Sequence, residues 1–427
     1  MVPRTSTPVA RAVAHVLGSD LPIAVETYDG GRIGPDDAPA TLRVLAPDAI
    51  RRIVTAPGEL GVGRAYVAGE LDVEGDVYAA LSALRARLPS VRVSPRDLAT
   101  LVRLVGAEGL RPLPPPPEEA SLRGRRHSKE RDAEAIAHHY DVSNRFYELV
   151  LGPSMTYSCA VWSSPEDTLE EAQAAKYELI CRKLGLREGM RLLDVGCGWG
   201  GMATHAARRY GVTAVGITLS REQETWAQKA VAEAGLAHAV EIRYQDYRDV
   251  RDGPFDAISS IGMFEHVGTR NLALYFRRMH RLLRPEGRLL NHGISRPARR
   301  GRRIGPRPPA TRARLQRNSF VDRYVFPDGE LHEIGSVVST MQAAGFEVRH
   351  VESLREHYAL TLRAWVANLE PNWDEAVAEV GSARVRIWHL YMAASALNFE
   401  AGRTQVHQVL AVRSPGGRSG MALRPDW

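Results

Sequence analysis

Polar residues placed at the ends of apolar runs are where chemistry would be done in this chain. The most specific stretch is Leu192-Leu193-Asp194-Val195-Gly196-Cys197-Gly198-Trp199-Gly200-Gly201, an apolar strand running into a glycine turn before a helix expected over 202–209. Glycines after a strand let a ligand approach the backbone, and the following helix offers its positive N-terminus. Gly196, Gly198 and Gly201 satisfy the GxGxxG dinucleotide fingerprint, which alone is weak. Two features separate the candidate cofactors. Asp194 stands two residues before the first glycine, where a dinucleotide fold keeps an apolar residue. A carboxylate there attracts a cationic ligand, such as the amino group and sulfonium of S-adenosylmethionine. A dinucleotide site also needs an acid about 20 residues further on for the ribose. Here the next strand ends in Thr218-Leu219-Ser220, with Glu222 and Gln223 already in a helix. S-adenosylmethionine is the expected cofactor. Gln245-Asp246, ending the third strand, would grip its adenine.

Further strand ends carry polar groups. Glu265-His266 follows the fourth strand in Gly262-Met263-Phe264-Glu265-His266-Val267-Gly268, and His292 and Ile294 end the fifth. Upstream lie His139-Tyr140-Asp141-Val142-Ser143-Asn144 and Met155-Thr156-Tyr157-Ser158-Cys159-Ala160-Val161-Trp162. A lone histidine is most often structural, and core packing accounts equally well for Tyr140, Trp162 or Phe264. Only the combination points to a site. Cys159, Cys181 and Cys197 are an odd number without CxxC spacing, so neither a disulfide framework nor a zinc site is indicated.

The elements that must hold these residues follow from length and pattern. A chain of 427 residues suggests two or three domains at ~150 residues each. Residues 1–110 alternate short apolar runs with turns and read as a small mixed α/β domain. The run 111–130, with four consecutive prolines and dense charge, reads as a stiff, solvated linker. From 131 to 412, strand-like runs at 191–195, 213–217, 239–243, 255–261, 287–294, 346–351 and 406–412 alternate with helical segments such as 220–234 and 270–283. That alternation implies an open, largely parallel sheet covered on both faces. Residues 352–400 read as a helical insertion before the last strand, and 413–427 as a loose tail.

Together these segments resemble the cyclopropane-fatty-acyl-phospholipid synthase family of S-adenosylmethionine-dependent methyltransferases. The stretches that carry the resemblance are HYDVSNRFY (139–147), MTYSCAVW (155–162), LLDVGCGWGG (192–201), VGITLSREQ (215–223), GMFEHVG (262–268), DRYVFPDGEL (322–331) and HYALTLRAW (357–365). GRAYVAGELDVEGD (63–76) also looks like the accessory domain of longer bacterial members. The resemblance implies a Rossmann-like, seven-stranded class I methyltransferase fold of α/β class, with the smaller N-terminal domain serving lipid binding or dimerisation.

The family methylates a cis double bond in an acyl chain of a membrane phospholipid. An alkene is a poor nucleophile, so the methyl group must come from a sulfonium. Transfer leaves a carbocation, which aromatic faces stabilise and from which a base removes a proton. Family members hold a bicarbonate ion as that base. Mapped onto this chain, its ligands would be the side chains of Glu265, His292 and Tyr358 and the backbone N–H groups of Cys159 and Ile294. By the same resemblance Tyr157 and Ser158 contact S-adenosylmethionine. Gly196, Gly198, Gly200, Thr218, Leu219, Ser220 and Gln223 complete the pocket, and Ile261 packs near the adenine. Tyr140, Trp162 and Phe264 are the candidates for shielding the cation.

One departure stands out. Cyclopropane-forming members usually read His-Thr-Ile where this chain has His292-Gly293-Ile294, followed by the arginine-rich run 295–317. The form looks more like actinobacterial relatives that make methylene-branched chains, precursors of 10-methyl fatty acids, and the expectation leans to that product. A separate reductase would then saturate it. The net charge of +6, with only four lysines among 56 basic residues, suits anionic partners but decides little, because arginine also follows from a GC-rich genome. The run 295–317 is expected either as a solvated loop or as a contact for anionic head groups. The N-terminus, interrupted by Arg11 and His15, makes a poor signal peptide, so a cytoplasmic protein, peripheral at the inner face of the plasma membrane, is expected. A homo-oligomer is expected and a nucleic-acid partner is not, since 1–130 contains no recognisable RNA-binding module. The alternative function is methylation of RNA or of another small molecule.

Overall fold

A computed structural model describes residues 7–18, 20–87, 106, 111–120, 126–140, 142–298 and 319–427. The chain forms two compact units, one from 1–120, 306–325 and 380–397, the other from 121–305, 326–379 and 398–427. Most of the arginine-rich run, residues 299–317, lies outside the described residues.

In the first unit, β1 (Ala24–Thr27), β2 (Arg32–Ile33), β3 (Ala40–Val44) and β4 (Leu71–Gly75) form a sheet of order β2-β1-β3-β4. Ile23, Val25, Leu42, Ala65 and Ala80 fill its core. The proline segment lies on this unit. A polyproline stretch pairs none of its own carbonyls, and here Arg51 Nε donates to Arg111 O and Arg52 to Pro114 O, each at 2.8 Å. The Glu119 side chain, 5% exposed, receives Arg64 at 2.8 Å. The stretch 380–397 joins the same unit through Tyr66 Oη and His389 Nδ1, 2.9 Å apart, and Arg386 to Asp72 at 3.0 Å.

The second unit is built on β5 (Arg191–Val195), β6 (Thr213–Thr218), β7 (Val240–Tyr244), β8 (Phe255–Ile261), β9 (Leu283–Arg296), β10 (His332–Glu333), β11 (Glu347–Ser353) and β12 (Gln405–Val412). Seven strands run in the order β11-β12-β9-β8-β5-β6-β7, and β10 pairs with β9 at the side. All neighbours from β7 to β9 are parallel, whereas β12 runs antiparallel to both β9 and β11. This is the class I methyltransferase topology, with the strands where the apolar runs place them. The differences are local. β9 starts four residues earlier than its apolar run, and β10 is too short to leave any periodicity in the sequence.

Helices cover both faces of the large sheet. Leu193, Ile258, Phe276, Met279 and Leu289 belong to one core, and Ile180, Leu192, Ala203, Ala227 and Leu290 to the other. The segment expected as a helical insertion forms helices Arg355–Leu369, Trp373–Val380 and Ser382–Glu400. Residues 413–427 make definite contacts: the Trp427 ring lies 5.8 Å from that of His350, and Arg288 donates to Gly420 O at 3.0 Å. No helix among the described residues is long and apolar enough to cross a membrane.

Candidate active site

Strand order reverses beside β5, with β6 and β7 on one side and β8 and β9 on the other. A reversal of this kind opens a crevice at the carboxyl ends of the strands. A cleft there spans about 940 Å³, open solvent at its mouth included. Of the residues expected to bind the cofactor, Tyr157, Ser158, Asp194, Gly196, Gly198, Thr218, Leu219, Gln223, Gln245 and Ile261 line it.

Each has a local reason to be there. Gly196 adopts φ +77°, and a Cβ on it would meet Met263 Cγ at 3.0 Å, so both backbone and space require glycine. Asp194, next to last in β5, is buried, and its Oδ1 accepts a hydrogen bond from Ser259 Oγ at 2.7 Å. Burial raises its carboxyl to about 6, against the opposing pull of Ser259 and Lys176. Thr218 Oγ1 donates to Gln223 Oε1 at 2.8 Å, which fixes that amide. Gln245 Oε1 is buried without a partner, an acceptor suited to the exocyclic amine of an adenine. A buried carboxylate for the cationic end and an orphaned amide oxygen for the base together fit S-adenosylmethionine.

Gly200, Ser220 and Asp246 are not part of the lining. Gly200, at φ +84°, caps helix Gly201–Tyr210, and Ser220 caps helix Arg221–Glu233 by accepting from Gln223 N at 3.1 Å. The Asp246 carboxylate is engaged by the Arg248 guanidinium at 2.6 and 2.7 Å. Their neighbours Gly201, Leu219 and Gln245 line the cleft.

Lys176 is a charged lining residue that sequence reading missed. It is fully buried on helix Leu169–Leu184, and its Nζ donates to Ser158 Oγ at 2.9 Å. Burial lowers its pKa to about 7. A signal was available: in a chain that almost always uses arginine, Lys176 shares the buried stripe of that helix with Ala172 and Ile180. Trp199, Met263 and Ile136 also line the cleft.

The residues expected to hold an anion lie outside this lining, at neighbouring strand and helix ends. Glu265, in the short 3₁₀ turn Phe264–His266 after β8, is buried, and its Oε1 accepts from Ile294 N at 2.6 Å. Its Oε2 has no partner, and burial raises the carboxyl to about 7. His292, near the end of β9, is 2% exposed with Nε2 unpartnered. Burial, followed by the charges of Lys176 and Lys183, drives its pKa well below the usual histidine value, so the ring is neutral. Cys159 Sγ donates to Ala160 O at 3.2 Å and lies 3.6 Å from Leu354 O, the carbonyl that also accepts from Tyr358 N. Desolvation pushes the Cys159 thiol far up, which excludes a thiolate nucleophile at neutral pH. The Tyr358 ring packs 4.7 Å from Phe399 and 6.0 Å from Trp365, whose own ring lies 5.1 Å from Tyr157.

Of the three proposed cation shields, Tyr140 lines the cleft. Trp162 Nε1 donates to Thr361 Oγ1 at 3.1 Å, and Phe264 packs against Gly293.

Comparison with known proteins decides the family. The family model described as mycolic acid cyclopropane synthetase matches residues 127–409. The chain belongs to the mycolic acid cyclopropane synthetase family. A protein of Mycobacterium tuberculosis named a probable fatty acid methyltransferase is 49% identical over 95% of both chains. The cyclopropane-fatty-acyl-phospholipid synthase of Escherichia coli K12 is 34% identical over 88% of both. Among solved structures, mycolic acid cyclopropane synthase CmaA1 in complex with SAH and CTAB aligns with a TM-score of 0.60 at 36% identity, covering 66% of this chain and 98% of its own. As a member of this family the chain is a methyltransferase that uses S-adenosylmethionine.

Gly293, expected to depart from the family pattern, is closely packed. A Cβ there would sit 1.9 Å from Phe264 Cε1 and 3.2 Å from Glu265 Oε1, because the Phe264 ring fills the place of a side chain. Gly293→Ala must displace that ring and is expected to cost ~1–3 kcal/mol, the usual range for overpacking a core. Thermal unfolding checks this; an unchanged midpoint would show that the ring moves freely.

Proposed function

We propose that this enzyme methylates the cis double bond of unsaturated acyl chains in membrane phospholipids, with a bound bicarbonate as base. The preferred product is a methylene-branched chain and the alternative a cyclopropane. The observation that carries this reading is the pair of orphaned buried polar atoms, Glu265 Oε2 and His292 Nε2, at the ends of β8 and β9 beside the cofactor cleft. Buried polar groups are rarely left unpaired, and two at neighbouring strand ends ask for a small polar ligand.

S-adenosylmethionine, when bound, supplies an electrophilic methyl group on a positively charged sulfur. Asp194 balances that positive charge from near the end of β5, and Gly196 and Gly198 let the backbone come close. Tyr140 and Tyr157 line the cleft, and Trp365 and Tyr358 continue from Tyr157 as a chain of ring contacts; the aromatic faces on the lining favour a cation. Bicarbonate supplies the acceptor for the proton lost from the acyl chain. Glu265, His292 and Tyr358 hold it by their side chains, with the N–H groups of Cys159 and Ile294. Taking up the Ile294 N–H would release Glu265 Oε1 from its present bond.

The phospholipid substrate places the enzyme at a membrane surface. Arginines in the run 295–317 supply charge for anionic head groups. A methylene product would pass to a separate reductase.

Bicarbonate removal tests the base. In carbon-dioxide-free buffer, methyl transfer to phospholipid vesicles is expected to fall by on the order of 10²-fold or more, the range that a positioned base contributes. Added bicarbonate should restore it. A rate indifferent to bicarbonate would remove the ion from the reading.

A further inference from the structure

β12 is an apolar, buried strand with two polar residues in its middle, His407 and Gln408. Gln408 stands opposite His292 in the β9–β12 register and is 1% exposed. Its amide has two fixed neighbours. Lys183 Nζ, fully buried, lies 2.7 Å from Gln408 Oε1, and Gln408 Nε2 lies 3.3 Å from His292 Nδ1. Lys183 also pairs with the Glu352 carboxylate.

We propose that Gln408, oriented by Lys183, is a positioning residue that fixes His292 in the tautomer with its proton on Nε2. The imidazole then presents an N–H donor to an anion at the end of β9. The inference rests on the bicarbonate reading above only in naming that anion. An ammonium can only donate, so the Gln408 atom facing Lys183 is the oxygen, and the atom facing His292 is the NH₂ group. That group donates, so His292 Nδ1 must be the bare, accepting nitrogen, and in a neutral ring the proton sits on Nε2. Nε2 is the atom left without a partner. With the opposite tautomer its place would be taken by a lone pair, which repels an anion. The roles thus run in one direction from Lys183 through Gln408 to His292, and β12, far from the binding motifs in sequence, sets the polarity of a site residue.

The experiment is nitrogen NMR on the full-length protein labelled at histidine, with the His292 signals assigned by their loss in His292→Gln. In the wild-type protein free of ligands, Nε2 is expected to show the protonated type of resonance and Nδ1 the unprotonated type. Gln408→Glu should reverse them, because a carboxylate beside Lys183 accepts from Nδ1–H. The same variant should raise the bicarbonate concentration for half-maximal methyl transfer by about tenfold or more, with affinity for S-adenosylhomocysteine unchanged. A protonated Nδ1 in the wild type, or the same tautomer in Gln408→Glu and wild type, would overturn the assignment. Gln408→Leu, which removes the donor without adding charge, should give a mixture of tautomers; a pure Nε2–H form there would equally overturn it. A tautomer that reverses as expected in an enzyme indifferent to bicarbonate would uphold the relay and reject only the identity of the anion.

Discussion

Glu265→Ala is expected to slow methyl transfer by on the order of 10²–10³-fold, the range lost when a group serving proton transfer is removed. Affinity for S-adenosylhomocysteine should be unchanged, because Glu265 is not among the residues lining the cofactor cleft. The alanine variant also deprives Ile294 N–H of its acceptor, so Glu265→Gln separates charge from structure. The glutamine oxygen keeps that bond, and its NH₂ group is a permanent donor towards an anion. In the wild type the carboxyl, raised to about 7 by burial, can donate only while protonated. Beside a bound anion it is harder still to ionise. Activity of the wild type is therefore expected to decline as pH rises from about 7, and Glu265→Gln should flatten that limb. Single-turnover rates across pH, with calorimetric titration of S-adenosylhomocysteine, check both. Cofactor affinity falling in step with the rate would place Glu265 in the wrong site.

Asp194→Asn carries the second large effect, this time on binding. A charge-assisted hydrogen bond contributes roughly 1.5–3 kcal/mol, or about 10- to 150-fold in affinity. That loss is expected for S-adenosylmethionine, while an uncharged nucleoside fragment should lose much less. The sign of the pH dependence follows from burial. The free enzyme's carboxyl, raised to about 6, must be ionised to oppose the cofactor's positive charge. Wild-type affinity should therefore fall as pH drops through about 6, and the asparagine variant should lose this dependence. Fluorescence or calorimetric titration at several pH values reads it directly. Equal affinity in variant and wild type would mean that the charge balance lies elsewhere.

Local pattern made the large sheet legible. Its strands are apolar runs of ordinary length separated by helices, and the glycine turn after β5 is a backbone requirement visible in one line of sequence. What sequence pattern did not disclose is non-local. Tyr66 and His389 are 323 positions apart, and nothing in either stretch announces that 380–397 packs with the N-terminal unit. Nor does spacing distinguish a residue that lines the cleft from one that stands beside it. Ser220 and Asp246 adjoin lining residues, yet serve as a helix cap and the partner of Arg248. Lys176 and Gln408 went unread for the opposite reason. Each is a polar side chain on a buried face, and its meaning depends on Ser158 and His292, which only the fold brings near. The spacing singles out Gly293, but the Phe264 ring that packs against it sits on another strand's loop.

The most direct measurement is mass spectrometry of phospholipid acyl chains from a bacterium that lacks its own cyclopropane synthase, expresses this chain and is fed methyl-labelled methionine. The reading predicts unsaturated acyl chains converted to labelled products that carry one added carbon on an unchanged chain length, with hydrogenation separating an exocyclic methylene from a ring. Labelled phospholipid should fall with Asp194→Asn and nearly disappear with Glu265→Ala. No labelled acyl chain, from an enzyme shown to bind S-adenosylmethionine, would contradict the lipid assignment and direct the search to another methyl acceptor.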